Sequence, residues 1–502
     1  MSPRPPVYLD YAATTPLDPV VAEAMSRCLR DPQAAGNASS NHAYGRRASE
    51  AVESAREQVA SSIGAFAAEI IFTSGATESD NLALLGAARA SAHRGRHLIA
   101  SRIEHKAVLD PCRRLEKEGF TVTPVAPDRS GRVTVDAVAA ALRPDTVLVS
   151  VMLVNNETGV IQDLESIGAL CRARGVLVHS DAAQALGKLA IDVRSLPVDL
   201  LSLTAHKLYG PKGIGALYIR SEARPRIQPI TFGGGQERGL RPGTLPTHQI
   251  VGFGLACERA RAELAAEGTR LASLRERLWS GLSSLGGVHL NGLGAPTVPG
   301  ILNASFEGVE GESLVAGLPE LALSTGSACN TASGEPSYVL RALGRDTQLA
   351  QSSLRLSFGR FTSAADIDLA VAAIRREVSR LRELSPGSEP STPLAGASSG
   401  PPSAWVMGEA GGAGQEVWVR FRLAVEDDRV TDALFKAYGC PHTLCAAAWV
   451  AGRLRGRRRS ELVPGAPAEW AETLSVPIEK LGRLLVVEDA LRDCLRHWPQ
   501  HR

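Results

Sequence analysis

The sequence predicts an α/β fold built on a mainly parallel sheet, followed after a linker by a smaller α+β domain. Three observations predict it. Over roughly the first 385 residues, short apolar runs alternate with helix-like stretches, the pattern of parallel strands joined by crossover helices. Small polar residues follow several of those runs directly, where open parallel sheets carry their ligand sites. Residues 386–403 (PGSEPSTPLAGASSGPPS) hold almost no large apolar side chain, cannot pack, and read as a flexible linker. The 502-residue chain thus divides into 1–385, the linker 386–403 and a terminal domain 404–502, the last near the commonest domain size.

In chain order, strands are expected at 69–73, 97–101, 147–154, 176–180, 200–204 and 216–219, each a short apolar or β-branched run. Helices are expected at 46–63, 163–174 and about 247–285, where apolar residues recur at helical spacing. Ser363 followed three residues later by Asp366 forms a capping-box pattern opening a helix that runs to about residue 384. Beyond the linker, residues 417–423 (VWVRFRL) alternate as a half-exposed strand does, and 481–494 read as a helix.

Composition narrows the function. Lys and Arg number 55 against 53 Asp and Glu, a formal charge of +2. This balance lacks the positive field of a histone-like nucleic-acid binder, so no direct nucleic-acid partner is expected. The run 453–459 (RLRGRRR) reads as a solvated basic loop. Eight cysteines, at 28, 112, 171, 257, 329, 440, 445 and 494, are too scattered for a disulfide scaffold and are expected as free thiols in a reducing compartment. The start, MSPRPPVYLDYAATTP, has no apolar leader core, and no stretch approaches the roughly 18 apolar residues of a membrane helix. The reading is a cytoplasmic protein with no membrane partner.

The chemistry gathers after the strands. Ser74-Gly75-Ala76-Thr77-Glu78 is a small-residue turn opening a helix, whose unpaired N–H groups suit a phosphate. Asp181 and Gln184 follow one strand; Thr204, His206 and Lys207 close another. Singly, these are caps and solvated charges. Together they are what pyridoxal phosphate requires: a lysine for a Schiff base, an acid to keep the ring nitrogen protonated, and donors for the phosphate. Cys329 stands apart from Cys28, Cys112, Cys171 and Cys257, which fall in helix-like stretches and read as buried small hydrophobes. It lies in a run of small polar residues, STGSACNTAS, where a thiol is exposed and mobile as a travelling nucleophile must be.

The motifs YLDYAATTP (8–16), TSGATESDN (73–81), EHK (104–106), VNNE (154–157), the Asp181 and Lys207 segments, GGGQE (233–237), RPGT (241–244) and the Cys329 run together resemble those of the cysteine desulfurases, in particular the long-loop class serving iron–sulfur cluster assembly and tRNA thiolation. The resemblance spans residue 7 to about 386. It implies a fold-type I pyridoxal-phosphate enzyme, with a mainly parallel sheet and a small α+β segment completing the unit. It implies that Lys207 carries the cofactor, Asp181 pairs with the ring nitrogen, Gln184 contacts the ring hydroxyl, and His105 stacks on the ring and relays protons. Ala76, Thr77, Thr204 and His206 would hold the phosphate, with Thr244 reaching it from a neighbouring subunit, hence a homodimer. Asn156 and Arg355 would bind the carboxylate of the substrate, L-cysteine, and Cys329 would take its sulfur as a persulfide, leaving L-alanine. No resident metal site is expected, Cys329 being the candidate for a transient iron–sulfur ligand. Another lyase on this fold, such as a selenocysteine lyase, is the alternative enzyme, and a cluster scaffold or adaptor the alternative outside enzymes.

Residues from about 414 to 498, most specifically 435–440 (FKAYGC), resemble the iron–sulfur cluster scaffold family in degenerate form. Of that family's three cysteines only Cys440 is present. Gly414 and Arg483 stand at the positions of the first and third, and Glu416 replaces an aspartate. Cluster sites need about four ligands, mostly thiolates, so this domain is expected as a sulfur acceptor, through Cys440, or as an adaptor to acceptor proteins.

Overall fold

The computed structural model describes residues 5–325, 336–385, 404–412 and 417–499. A seven-stranded sheet forms the centre of the first unit, from β1 (Ile70–Thr73), β2 (His97–Ser101), β3 (Thr121–Val125), β4 (Thr146–Ser150), β5 (Leu177–Asp181), β6 (Leu200–Thr204) and β7 (Gly215–Ile219). Their order is β1-β7-β6-β5-β4-β2-β3. Only β7 runs antiparallel to its neighbours, so its amino end lies at the edge where the other strands end.

The structure shortens the expected 147–154 strand to β4. Val151 to Val154 are all buried; the Val151 and Leu153 N–H groups still donate to the His179 and Asp181 carbonyls of β5, and the turn comes at Asn155, whose side chain accepts from the N–H groups of Glu157 and Thr158. β3 was not expected: as an edge strand it is largely exposed and carries Pro124, so it shows no apolar run.

Helices cover both sheet faces. One layer, with α1 (Ala43–Ser62) and α4 (Leu164–Ala173), buries Val59, Ile167, Phe72 and Leu203; the opposite layer, with α2 (Ala76–Ala90) and α3 (Lys106–Lys117), buries Leu82, Leu115, Leu148 and Leu217. The 37-residue α5 (Thr247–Ser283) then spans about 55 Å and leads into an antiparallel sheet, ordered β10-β11-β9-β8, of β8 (Val288–Leu290), β9 (Ile301–Phe306), β10 (Ser324–Thr325) and β11 (Ser353–Ser357). The short α6 (Gly311–Ala316) and the long α7 (Ala364–Leu384) pack on it. The Ser363/Asp366 capping box opens α7 as the sequence predicts. Cys112, Cys171 and Cys257 are buried on helices, whereas Cys28 is half-buried, a correction to its reading as a core residue.

The terminal unit is a meander of β12 (Ala404–Gly412), β13 (Val417–Glu426) and β14 (Arg429–Tyr438), with α8 (Pro441–Leu454) and α9 (Leu481–Arg496) on one face. Val419, Phe421 and Leu423 alternate inward onto Trp470, Leu484 and Leu491. This unit packs on the first. The Ser313 hydroxyl donates to the Gly439 carbonyl at 2.7 Å, Gln348 donates to the Tyr438 hydroxyl at 3.1 Å, and Leu444 touches both cores. No helix among the described residues is long and apolar enough to cross a membrane.

Candidate active site

A cavity of about 600 Å³ opens at the strand edge. Ala76, Thr77, His105, Asn156, Asp181, Gln184, Thr204, His206, Lys207 and Arg355 all line it: β1, β4, β5 and β6 end together, His105 opens a helix, and Arg355, 279 positions beyond Ala76, comes from the antiparallel sheet. Thr244 does not line it; it is exposed on a loop that Arg241 ties to Glu78, in the first turn of α2, through a 3.0 Å ion pair. Cys329 lies outside the described residues, as do the linker, Gly414 and Glu416. Cys440 is remote from the cavity, at the contact between the two units.

The phosphate turn is built from the backbone. α2 has Gly75 as its N-cap with no side-chain cap, so its first turn offers N–H groups to the cavity. Gly75 adopts φ 154°, and a Cβ there would meet only the Thr204 hydroxyl, 3.9 Å away, standing over the open space. On its other side Gly75 approaches Gly215 so closely that a Cβ on Gly215 would lie 2.7 Å from the Gly75 Cα. Glycine at both positions lets turn and strand touch and leaves a cradle above them.

His105 is the N-cap of α3, and its Nδ1 accepts from the Ala107 N–H at 3.1 Å. The neutral ring therefore carries its proton on Nε2. Burial, aided by Lys207, pushes its pKa below the ordinary histidine value, against the pull of Asp181. His206 is pushed to about 4 by burial and by Lys207, and its Nδ1 sits 3.2 Å from the Thr14 hydroxyl. Asp181 is buried and accepts from the Ala183 N–H at 2.8 Å. Arg355, 2% exposed, donates to Asp10 at 2.7 Å and to the Asn156 carbonyl at 3.1 Å. Its Nε and the Asn156 Oδ1 find no partner among the described residues.

Several site residues escaped the sequence reading. Asp80, fully buried beside Asp181, also lines the cavity, with His179 Nε2 at 3.3 Å; burial first, then Asp181, pushes its pKa well above the carboxylate range. Glu104, buried next to His105, accepts from the Ser101 hydroxyl and the Met152 N–H at 2.7 Å each and is raised to about 8 by burial. Glu157 is raised to about 7, also by burial, while its bond from Ser337 opposes the shift. Their signal in the sequence is only that acids stand among otherwise apolar or polar site segments.

The Glu157 carboxylate and the Glu104 backbone also hold one stem of the Cys329 segment. Ser337 donates to Glu157, and the Tyr338 hydroxyl donates to the Glu104 carbonyl at 2.7 Å. On the other stem, Ser324 accepts from Arg355 at 3.4 Å. Both ends of the segment are thus tied to groups in or beside the cavity.

Comparison with known proteins agrees with this geometry. The profile of the class-V aminotransferases matches residues 7–369. The cysteine desulfurase IscS of Serratia proteamaculans (strain 568) is 56% identical over 382 residues, covering 76% of this chain and 95% of the relative. The chain belongs to the cysteine desulfurase family. IscS of Cronobacter sakazakii (strain ATCC BAA-894) is likewise 56% identical over 382 residues, with the same coverage. Among solved structures, a NifS-like protein superposes on this desulfurase with a TM-score of 0.69 at 37% identity, covering 75% of this chain and 100% of that one. DndA from Streptomyces lividans gives 0.60 at 44% identity, covering 70% and 99%. These likenesses cover at most 76% of the chain and carry no reading of the terminal unit.

Cysteine desulfurases of this class depend on pyridoxal phosphate, and the cavity fits it. The uncapped helix start and the Gly75 cradle suit its phosphate, the buried Asp181 suits its ring nitrogen, Lys207 suits its aldehyde, and the unpaired Nε of Arg355 suits a substrate carboxylate.

Proposed function

We propose that this cavity converts L-cysteine to L-alanine and passes the sulfur to Cys329, supplying iron–sulfur cluster assembly or tRNA thiolation. The meeting of Asp181, Lys207, His105 and the uncapped start of α2 at one strand edge carries this reading. Bound pyridoxal phosphate supplies the electron sink that makes Cα–H acidic and the Cβ–S bond breakable. Ala76, Thr77, Thr204 and His206 hold its phosphate, with Thr244 of a second copy completing the grip in a homodimer. Asp181 keeps the ring nitrogen protonated, and Gln184 faces the ring hydroxyl. Lys207 anchors the cofactor and moves the proton at the substrate Cα. His105, uncharged and protonated on Nε2, presents a donor to the reacting groups. Arg355 and Asn156 orient the carboxylate.

Sulfur transfer balances without an outside oxidant. The thiolate of Cys329 supplies the electron pair of the new S–S bond. The pair of the broken C–S bond stays on carbon, which takes a proton and becomes the methyl group of alanine.

The terminal unit is read as a degenerate scaffold-like domain that accepts sulfur through Cys440 or presents the enzyme to acceptor proteins. Supporting this, Cys440 is the N-cap of α8 and lines the same interdomain cavity of about 80 Å³ as Arg483, the residue at the position of a missing ligand. Lys207→Ala is expected to abolish both the visible absorbance of bound cofactor and alanine formation. Cys329→Ser is expected to keep that absorbance and lose the persulfide. Alanine formation by Lys207→Ala would overturn the assignment.

A further inference from the structure

A second lysine, half-buried, stands behind the cavity. The turn after β5 coils through residues 182–189, with the Leu186 N–H donating to Ala182 and that of Lys188 to Ala185, and this places Lys188 four residues from Gln184 on one side of the turn. The Lys188 Nζ donates to Gln184 Oε1 at 2.6 Å, and Gln184 Nε2 donates to the Ala12 carbonyl at 2.7 Å. Gln184 itself is 2% exposed. Both contacts agree on which end of the amide is which, because a carbonyl only accepts and an ammonium only donates. The oxygen is thereby occupied from behind. One N–H is given to Ala12, and the other remains on the side of the cofactor cavity.

Lys188 also shares a separate small cavity, about 30 Å³, with Lys207 and Glu267. Glu267 is itself engaged by the Tyr209 hydroxyl at 2.7 Å and by Arg360 at 3.1 Å. The charges facing the Lys188 amine are therefore Lys207 and Arg355 of its own sign and Glu267 opposing them; burial, first, and the two cations bring its pKa down to about 7.

Resting on the cofactor reading above, we propose that Lys188 is a positioning residue for Gln184: by saturating the amide oxygen and polarising the amide, it commits the Gln184 nitrogen to donate to the cofactor's ring oxygen. A donor there stabilises the ionised ring oxygen, and this holds down the pH at which the bound cofactor's visible band titrates. Without Lys188, a buried amide oxygen loses its donor and the amide is free to turn that oxygen toward the ring.

The test is the absorbance spectrum of the holoenzyme from pH 6 to 10 for wild type, Lys188→Met, Lys188→Gln, Gln184→Leu and the double variant Gln184→Leu/Lys188→Met, with circular dichroism to confirm folding. Lys188→Met is expected to raise the midpoint of the visible band by a factor of roughly three to ten in proton concentration, the worth of one hydrogen bond. Lys188→Gln, which still donates, recovers part of the shift. In the Gln184→Leu background the Lys188→Met shift shrinks to less than half. Superimposable titrations of wild type and Lys188→Met overturn the proposal, as does an undiminished shift in the Gln184→Leu background. If Lys188→Met does not fold, the same comparison is made with Lys188→Gln and its double variant. A wild-type protein that takes up pyridoxal phosphate without any visible band overturns the cofactor reading instead.

Discussion

Asp10, in the amino-terminal segment, holds the guanidinium of Arg355, 345 residues later, at 2.7 Å. The contact joins the amino-terminal segment to the strand that carries Arg355, proposed to bind the substrate carboxylate, and Nε has no partner among the described residues. Asp10 thus acts on affinity through Arg355 without touching the cofactor.

Asp10→Asn is accordingly expected to raise the KM for L-cysteine by roughly three- to tenfold, the loss of one charge-assisted bond, with kcat and the cofactor absorbance little changed. Steady-state kinetics of alanine formation check it. A lowered kcat with unchanged KM would place Asp10 in another role.

A second expectation concerns pH. The buried carboxyl of Glu104 titrates at about 8 in the folded chain against an ordinary value of 4.5, because burial disfavours its charge. Between those values the folded state binds the extra proton, so this group's contribution to stability falls as pH rises from about 5 to 8. Glu104→Gln removes that dependence. In thermal unfolding scans across this range, the wild-type midpoint should lose ground relative to Glu104→Gln as pH rises. Parallel curves would show that the acid is charged throughout. The comparison isolates Glu104 from Glu157, whose pKa of about 7 acts in the same direction, and from Lys188, whose lowered value acts in the opposite one.

Much of this site was legible in the sequence because its chemistry stands at strand ends. Thr77, Asp181, Thr204 and Lys207 each follow an apolar run within a few residues, and parallel sheets bring such positions together. Arg355 is different: it reaches the cavity because β11 pairs with β9 in a second sheet, a relation no local pattern encodes. Only the family resemblance named it. Lys188, Asp80 and Glu104 were missed because a charged residue in sequence reads as solvated, and their burial is created by elements far along the chain. The antiparallel β7 was likewise invisible as such, since an apolar run has no direction, yet its reversal brings Lys212 and Gly213 to the cavity edge.

The division of the chain yields a third expectation. Every described cavity-lining residue precedes residue 386, and the first unit has complete apolar cores without the terminal one. A chain ending at Ser385 is expected to bind pyridoxal phosphate and form alanine at near the full-length rate. Its thermal midpoint should drop by a few degrees, because Ser313, Gln348 and the surface under Leu444 lose their partners. Loss of cofactor binding in a folded truncated chain would make the terminal unit part of the active site.

The last expectation follows from where Cys440 sits. It is 3% exposed, with its Sγ 3.6 Å from the Thr443 hydroxyl, under a contact made by Ser313, Gln348 and the Glu312–Lys480 pair at 3.1 Å. A persulfide passes its outer sulfur only to a thiolate it can reach, so a buried Cys440 must first be uncovered. The contact is suited to opening: the Glu312–Lys480 pair is half-exposed and so worth little, and Leu444 is the apolar residue common to both cores. Tethering within one chain keeps the parted units at an effective concentration in the mM range, so reclosure is fast and exposure brief. Sulfur should therefore appear on Cys440 after L-cysteine more slowly than on Cys329, and faster in Leu444→Asp, whose charge between the two cores weakens their contact. It should be absent in Cys329→Ser. Time-resolved mass spectrometry of the alkylated peptides separates these cases. If Cys440 stays unmodified in both wild type and Leu444→Asp while Cys329 carries its persulfide, the terminal unit is an adaptor and the relay through Cys440 is excluded.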